Sequence, residues 1–472
     1  MCAVNETERH SALPQEVVAA WERIDADFDH HLESIRTYLR QPSVSGTGEG
    51  MAAAAEATAE LIESSGGRAE ILPTPGHAAV LGTIEGSGPS LLRYGMYDVQ
   101  PAEEPDWTSP PFAAEVRELP RLGPCVVARG AVNSKGALAS FLLAVSSLRA
   151  VAEMPVTLKL LLDGEEELGS PNLPGVVDAY RTEFAADAAF DLDLSADPSG
   201  RPEVHLGCKG ILSIKLTCRG GEWGGPMHRA LHSSLGAVIA SPTWALTRAL
   251  AALIGPNDTP LIPGIENGST PPEDEEWIRA LTADFDPQAF LDEYELRRYR
   301  NRSSDAESLV RALLYAPALN INGISSGYPA GGKTIIPHEA SAILDLRLPY
   351  GVDHEDVMRA TTALVADAAP EVVVEFPEFC PPARTSASSP VAKAMIGSLA
   401  DAGPAPLVWP NSPWWAPYFL FEDNIGLPFA IGGAGHGGRA HAADEYATVE
   451  GLRAHMKHAV AFLFRAAQEL SA

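Results

Sequence analysis

Apolar residues recur at helical spacing from Leu13 to Leu39, with Pro14 suited to a first turn and Pro42 just past the end, which predicts an amphipathic opening helix. A second, alanine-rich helix is expected over residues 51–64. Short apolar runs at 79–84, 90–94, 156–162 and 188–194 then read as strands, with a helical stretch over 135–151 among them. This alternation predicts α/β layers around a mostly parallel sheet. From Val204 the texture changes: HLGCKGILSIKLTCRGG reads as strand, turn and strand, a helix covers 235–254, and 256–305 is acidic and irregular. Strands at 319–324, 342–348 and 372–376 flank a helix at 353–366, and after PPARTSASSP the α/β texture returns, ending in a helix over 449–470. The expectation is a discontinuous α/β domain, residues 1–207 and 386–472, interrupted by an inserted α+β domain, residues 208–385.

A length of 472 residues suits two or three domains, and a chain 46% hydrophobic and 20% charged has enough apolar material for packed cores, so disorder is excluded. Acidic residues outnumber basic ones 62 to 34, and the net charge of −28 repels phosphate backbones and anionic membranes. Neither nucleic acid nor membrane is therefore an expected partner. The five cysteines (Cys2, Cys125, Cys208, Cys218, Cys380) are scattered with no C-x-x-C pair, and they read as reduced thiols of a cytoplasmic protein. MCAVNETERH lacks the basic start and apolar core of a signal peptide. The most apolar stretch, 136–148, is shorter than the ~20 residues that span a bilayer and reads as a buried helix.

Candidate chemistry begins with DGEEELGSPNL, where Asp163, Glu165, Glu166 and Glu167 follow directly on the strand VTLKLLL. Carboxylates at the C-terminal end of a strand stand where open α/β sheets hold ligands, although a solvated acidic loop has the same composition. Five further pieces change the balance: LLRYGMYDVQPAEEPDWTSPPF, ARGAVNSKGALAS, DLDLSADPSG, RALHSSLG and GHGGRAHAADEYATVEG.

In order and spacing these pieces make the chain resemble, nearly end to end, the carnosinase-like zinc dipeptidases, in the wider group of acetylornithine deacetylase and succinyl-diaminopimelate desuccinylase. The resemblance implies two zinc ions about 3.5–4 Å apart, bridged by a carboxylate and by a water that a glutamate deprotonates for attack on an amide. It also implies that the inserted domain is a lid that closes on substrate and forms a homodimer. On the family pattern Glu166 falls on the general base, Glu167 on a zinc ligand, Asp197 on the carboxylate ligand of the other zinc, and His441 on the last histidine ligand. Two positions depart from it. Met96 stands where the family has the histidine of H-x-D, leaving Asp98 without its imidazole, and Asn133 replaces the bridging aspartate.

A thioether is a soft, weak ligand, and an amide offers a carbonyl without charge, so neither replaces imidazole or carboxylate for zinc. Met96, Asn133 and Asp197 make no zinc site, while Glu167, His441 and Asn133 make a weak one, so the expected cofactor is one divalent metal, zinc, or none. His436, five residues before His441, is either a loop histidine or a substitute ligand. On the substrate side the resemblance gives His232 the lid histidine's role of stabilising the tetrahedral intermediate. Arg347 and Thr334 match a clamp for the substrate carboxylate, which suits a planar guanidinium. Ser412 takes the place of a serine in a glycine-rich loop, with Trp414 and Trp415 beside it as pocket lining or core. Crowded carboxylates around an incomplete metal site need a counter-charge: one metal, a proton, Lys135 or a cationic substrate group. The expected function is that of an enzyme acting on an amide bond of a small zwitterionic or carboxylate-bearing molecule, by hydrolysis or by amide formation or transfer in a biosynthetic role. The alternative is a catalytically inactive, dimeric ligand-binding homologue.

Overall fold

The computed structural model describes residues 13–265, 270–300, 302–328 and 332–472, so Cys2 and the amino-terminal decapeptide lie outside the described residues. Two compact units emerge. The first takes the described residues through Leu206 together with Thr385–Trp409 and Ala416–Ala472; the second takes Gly207–Arg384 and Pro410–Trp415. Ser412, Trp414 and Trp415 therefore group with the second unit.

In the first unit an eight-stranded sheet runs in the order Arg68–Leu72, Ala79–Ile84, Thr157–Asp163, Ser90–Met96, Ala188–Leu192, Phe429–Gly433, Glu203–His205, Leu407–Trp409. Its central pairings are parallel, as near-continuous apolar runs buried on both faces require. Arg68–Leu72, Ala79–Ile84 and Thr157–Asp163 pair antiparallel at one edge, and Glu203–His205 opposes Phe429–Gly433, so the sheet is mixed. Helix Lys135–Arg149 is buried on nearly every side and packs against Val449–Ser471. The single opening helix expected from periodicity is two, Gln15–Ala26 and Phe28–Arg40, broken at Asp27 (φ −103°, ψ 10°). The Asp27 carboxylate is still held 2.6 Å from Arg23 one turn back, as along a continuous helix, so the break is confined to the backbone at Asp27.

The second unit contains an antiparallel sheet in the order Ala318–Ser326, Glu339–Leu348, Gly210–Arg219, Val372–Glu375. Alternate residues of its two long strands (Leu212, Ile214 and Leu216; Leu344 and Leu346) enter one core with Leu246 and Leu253 of helix Pro242–Leu253 and Val357 and Val365 of helix His354–Ala368. Ala318–Ser326 is an edge strand, and Ile321 and Ile324 on it are exposed. The acidic stretch expected to be irregular holds helices Glu275–Asp284 and Pro287–Glu293. The second starts where Asp286 accepts the N–H groups of Gln288 and Ala289, with Pro287 at its first position. Among the described residues, no helix is long and apolar enough to cross a membrane. Cys125, Cys208, Cys218 and Cys380 are buried free thiols.

Candidate active site

Strands Ser90–Met96 and Thr157–Asp163 run parallel with Met96 beside Asp163, so the segments that follow them leave the sheet together. Asp98 then accepts the backbone N–H of Glu166 at 3.2 Å and that of Glu167 at 3.0 Å, one on each oxygen, which fixes the start of the acidic loop. Asp163 Oδ1 accepts the Glu165 N–H, and Glu165 Oε2 accepts from Asn172 at 2.7 Å. Of the four carboxylates in DGEEE, Asp163 and Glu165 thus brace the scaffold.

Asn133 arrives on the loop that precedes helix Lys135–Arg149. Buried Glu445 clamps that loop: Oε2 accepts from Arg129 and from the Gly130 N–H, and Oε1 accepts the N–H groups of Val132 and Asn133, each at 3.0 Å. Gly130 turns the chain at φ +87°, a conformation that costs glycine little. Lys135, a candidate counter-charge, is directed elsewhere. Its ammonium donates to the Gln41 carbonyl at 2.5 Å and lies 4.7 Å over the Tyr38 ring, and burial pushes its pKa down to about 7.

Glu167 is where the pieces meet. Its Oε1 accepts from Asn133 Nδ2 at 2.8 Å and lies 3.2 Å from His441 Nε2, and its Oε2 accepts from Gln100 Nε2 at 2.9 Å. Asn133 Nδ2 is also 2.9 Å from His441 Nε2. The Glu167 carboxylate raises the His441 imidazole above its ordinary value. Beside this cluster lies a cavity of about 410 Å³, lined by Gln100, Pro101, Glu103, Glu104 and His441. Glu104 is tied to Arg129 at 2.8 Å and to Trp107 at 2.9 Å. Burial, then the charges of Glu167 and Asp98, holds the Glu166 carboxyl well above the carboxylate range; burial likewise pushes Asp98 up to about 7.

Asp197 is not brought into this cluster. Its Oδ1 accepts the N–H groups of Ser199 and Arg201 and the Ser199 hydroxyl, closing a turn. The carboxylate at the sheet end is Asp193, the residue directly after strand Ala188–Leu192, with Oδ1 shut away from water. Met96 is buried as the last residue of its strand. His436 is a loop support, bonded to the Ala196 carbonyl at 2.7 Å and to the Tyr446 hydroxyl at 3.1 Å.

The donor set does not fit a pair of zinc ions. Asn133 directs its amide N–H₂, a donor, at the carboxylate and the imidazole that would have to ligate, and Met96 offers only a thioether. What the cluster offers instead is a hydrogen-bonded carboxylate, amide and imidazole beside a second, protonatable carboxyl group.

In the second unit, His232 and Thr334 are brought together. Leu231–His232 pairs with Ile335–Ile336, Thr334 Oγ1 is 3.4 Å from His232 Nε2, and His232 Nδ1 is 2.8 Å from Ser234 Oγ. Arg347 Nε donates to Asp345 Oδ1 at 3.1 Å, so its guanidinium is partly engaged within the chain. Lys209 caps helix Ala306–Tyr315 by donating to Ala316 O at 2.7 Å, and burial with the nearby Arg347 charge lowers its pKa to about 8. Ser412 is fully buried, and its carbonyl accepts the Lys209 N–H.

Residues 93–469 match the family model described as peptidase family M20/M25/M40, and the chain belongs to that family. It is 31% identical to an M20 family metallo-carboxypeptidase from Sulfolobus solfataricus, covering 93% of this chain and 99% of that one with a TM-score of 0.85. The beta-Ala-His dipeptidase of Rattus norvegicus is 28% identical over 55% of this chain. The dipeptidase Dug1p of Saccharomyces cerevisiae shares the fold at a TM-score of 0.81 and 20% identity, over 96% of this chain and 98% of that one. The chain spans about half the length of the curated relatives it matches, 51% for the rat dipeptidase.

Sequence reasoning passed over Asp193, Gln100 and Glu445 as site residues. Gln100 and Glu445 lie in the quoted motifs YDVQP and AHAADE, but neither position is marked by charge pairing or spacing alone.

Proposed function

We propose that the protein cleaves the amide bond of a small dipeptide-like substrate bearing a free carboxylate, with Glu166 accepting the proton of the attacking water. The observation that carries this is the cavity beside His441 and Gln100, both of which contact Glu167, next to half-buried Glu166. Its acidic wall, Glu103 and Glu104, suits the ammonium end of a zwitterion. The motif matches support substrate roles for His232, which would stabilise the tetrahedral intermediate, for Arg347 and Thr334 on the carboxylate, and for Ser412. Zinc at Glu167 and His441 is the most the donor set supports, and no step here depends on it. With an amine in place of water, the same groups would form or transfer an amide.

We also infer a homodimer through the second unit, supported by the edge strand Ala318–Ser326 with exposed Ile321 and Ile324, and a cytoplasmic setting, supported by the free buried thiols. One observation favours a second reading. The hydrogen bonds that occupy Glu167 suit a binding protein that keeps the pocket without turnover. Glu166→Gln separates the two. Incubation with a dipeptide panel including β-Ala-His and Cys-Gly, read by mass spectrometry, should show products with the wild type and none with the variant. Equal product levels would refute the role of Glu166, and none from either while binding persists would refute the enzyme.

A further inference from the structure

Where no pair of metal ions fits, the carboxylates at the sheet end are left to take up protons or to find another positive charge, and the strand that ends in Met96 carries one. Arg93 lies on Ser90–Met96 with 1% of its surface exposed. On the neighbouring parallel strand it stands opposite Phe190, which puts Asp191 and Asp193 just ahead of it. Its Nη2 is 3.8 Å from Asp191 Oδ1 and donates to the Leu192 carbonyl at 3.0 Å; its Nη1 donates to the Tyr94 carbonyl at 3.3 Å. The strand is shaped for this, because a Cβ at Gly95 would fall 2.6 Å from Nη1. Phe141 underlies the guanidinium, 4.6 Å from ring centroid to Cζ.

The surrounding groups leave Arg93 as the only strong cation on these carboxylates among the described residues. Tyr418 donates to Asp191 Oδ2 at 2.9 Å, and His455 of the C-terminal helix is 3.2 Å from the same Leu192 carbonyl. Asp191 Oδ1 and Asp193 Oδ1 are sealed from water without a hydrogen-bond partner among the described residues. Buried Asp191 and half-buried Asp193, so placed, must either take up protons or sit beside a compensating charge, and Arg93 is the charge at hand.

We propose that Arg93 is the resident cation of this site, compensating Asp191 and Asp193 from beneath the sheet end and so holding the carboxylate cluster together where no pair of metal ions fits. Arginine suits the task because its charge persists when buried. Removing that charge leaves two carboxylates unopposed and open to a divalent cation from solution.

The test is thermal melting of the full chain in EDTA and in zinc chloride, for wild type, Arg93→Met, Arg93→Lys and Arg93→Met combined with Asp193→Asn. In EDTA, Arg93→Met should melt at least about 5 °C lower than wild type. Zinc should recover much of that loss while leaving wild type and Arg93→Lys unmoved, and adding Asp193→Asn should recover much of it without zinc. An unchanged melting temperature for Arg93→Met, a loss that Asp193→Asn does not relieve, or a zinc response in wild type equal to the variant's would each overturn the proposal. If Arg93→Met does not fold, the double variant decides: soluble, cooperatively melting protein supports the proposal, and failure to fold refutes it. Turnover is not read, so the outcome is separate from that of the amide-hydrolysis test.

Discussion

Asn133 Nδ2 donates to Glu167 Oε1 at 2.8 Å, so the two residues the family pattern assigns to metal ligation are bonded to each other. An aspartate at 133 would face Glu167 as a second carboxylate and require a cation between them. The substitution converts a charge-binding position into a hydrogen-bonded one, and it does so on a loop that Glu445 holds rigidly.

That clamp is the first point to test. Glu445 and Arg129 form a fully buried pair at 3.0 Å, and Glu445 also accepts three backbone N–H groups. Glu445→Ala strands these backbone donors and leaves Arg129 with Glu104 as its remaining carboxylate, and breaking such a buried pair costs about 3–5 kcal/mol. Denaturant unfolding should report a loss in that range; a loss near zero would mean that the loop holds itself.

Burial pushes His455 and His458 down to about 3, against 6.5 for a free imidazole. Both stay neutral in the fold and take up protons on unfolding. Their contribution is complete above pH ~6.5 and is lost as pH falls towards 3, by on the order of 1.4 kcal/mol per pH unit for each histidine. Stability measured from pH 7 to 4 should fall steeply, and His455→Gln with His458→Gln should flatten the slope. Parallel slopes would contradict the assignment.

Much of the architecture is legible because period-2 and period-3.6 patterns survive burial. The strands expected from apolar spacing at 79–84 and 90–94 and the helix expected at 135–151 are found at Ala79–Ile84, Ser90–Met96 and Lys135–Arg149. The two acidic helices between 275 and 293 were hidden because charged residues carry little periodic signal, although Asp286 and Pro287 marked a start. The choice of Asp197 over Asp193 has a similar cause. The apolar run extends to residue 194, so Asp193 reads as strand interior, whereas the strand ends at Leu192 and makes Asp193 the first residue beyond the sheet. Only the fold reveals that end.

Arg347 donates to Asp345 at 3.1 Å and keeps a part-exposed guanidinium. If it clamps a ligand carboxylate, Arg347→Ala should weaken a carboxylate-bearing dipeptide by one to two orders of magnitude, from charge-assisted bonds of about 1.5–3 kcal/mol. Calorimetric titration and thermal melting on the same variant check this; unchanged affinity with lowered stability would assign Arg347 to Asp345 alone.

Ile321 and Ile324 are exposed on the edge strand of the second unit, where the proposed dimer would form. Ile324→Lys should convert a dimer to a monomer in light scattering at micromolar concentration. A wild-type chain that is already monomeric would remove the dimer proposal.

With Met96 and Asn133 at two ligand positions of the family pattern, this M20 site is proposed to be unable to hold two metal ions. Elemental analysis of the chain after incubation with excess zinc and exhaustive dialysis tests it most directly. Wild type should retain well below two zinc ions per chain, and Met96→His with Asn133→Asp should retain more. Two tightly held zinc ions in the wild type would contradict the account.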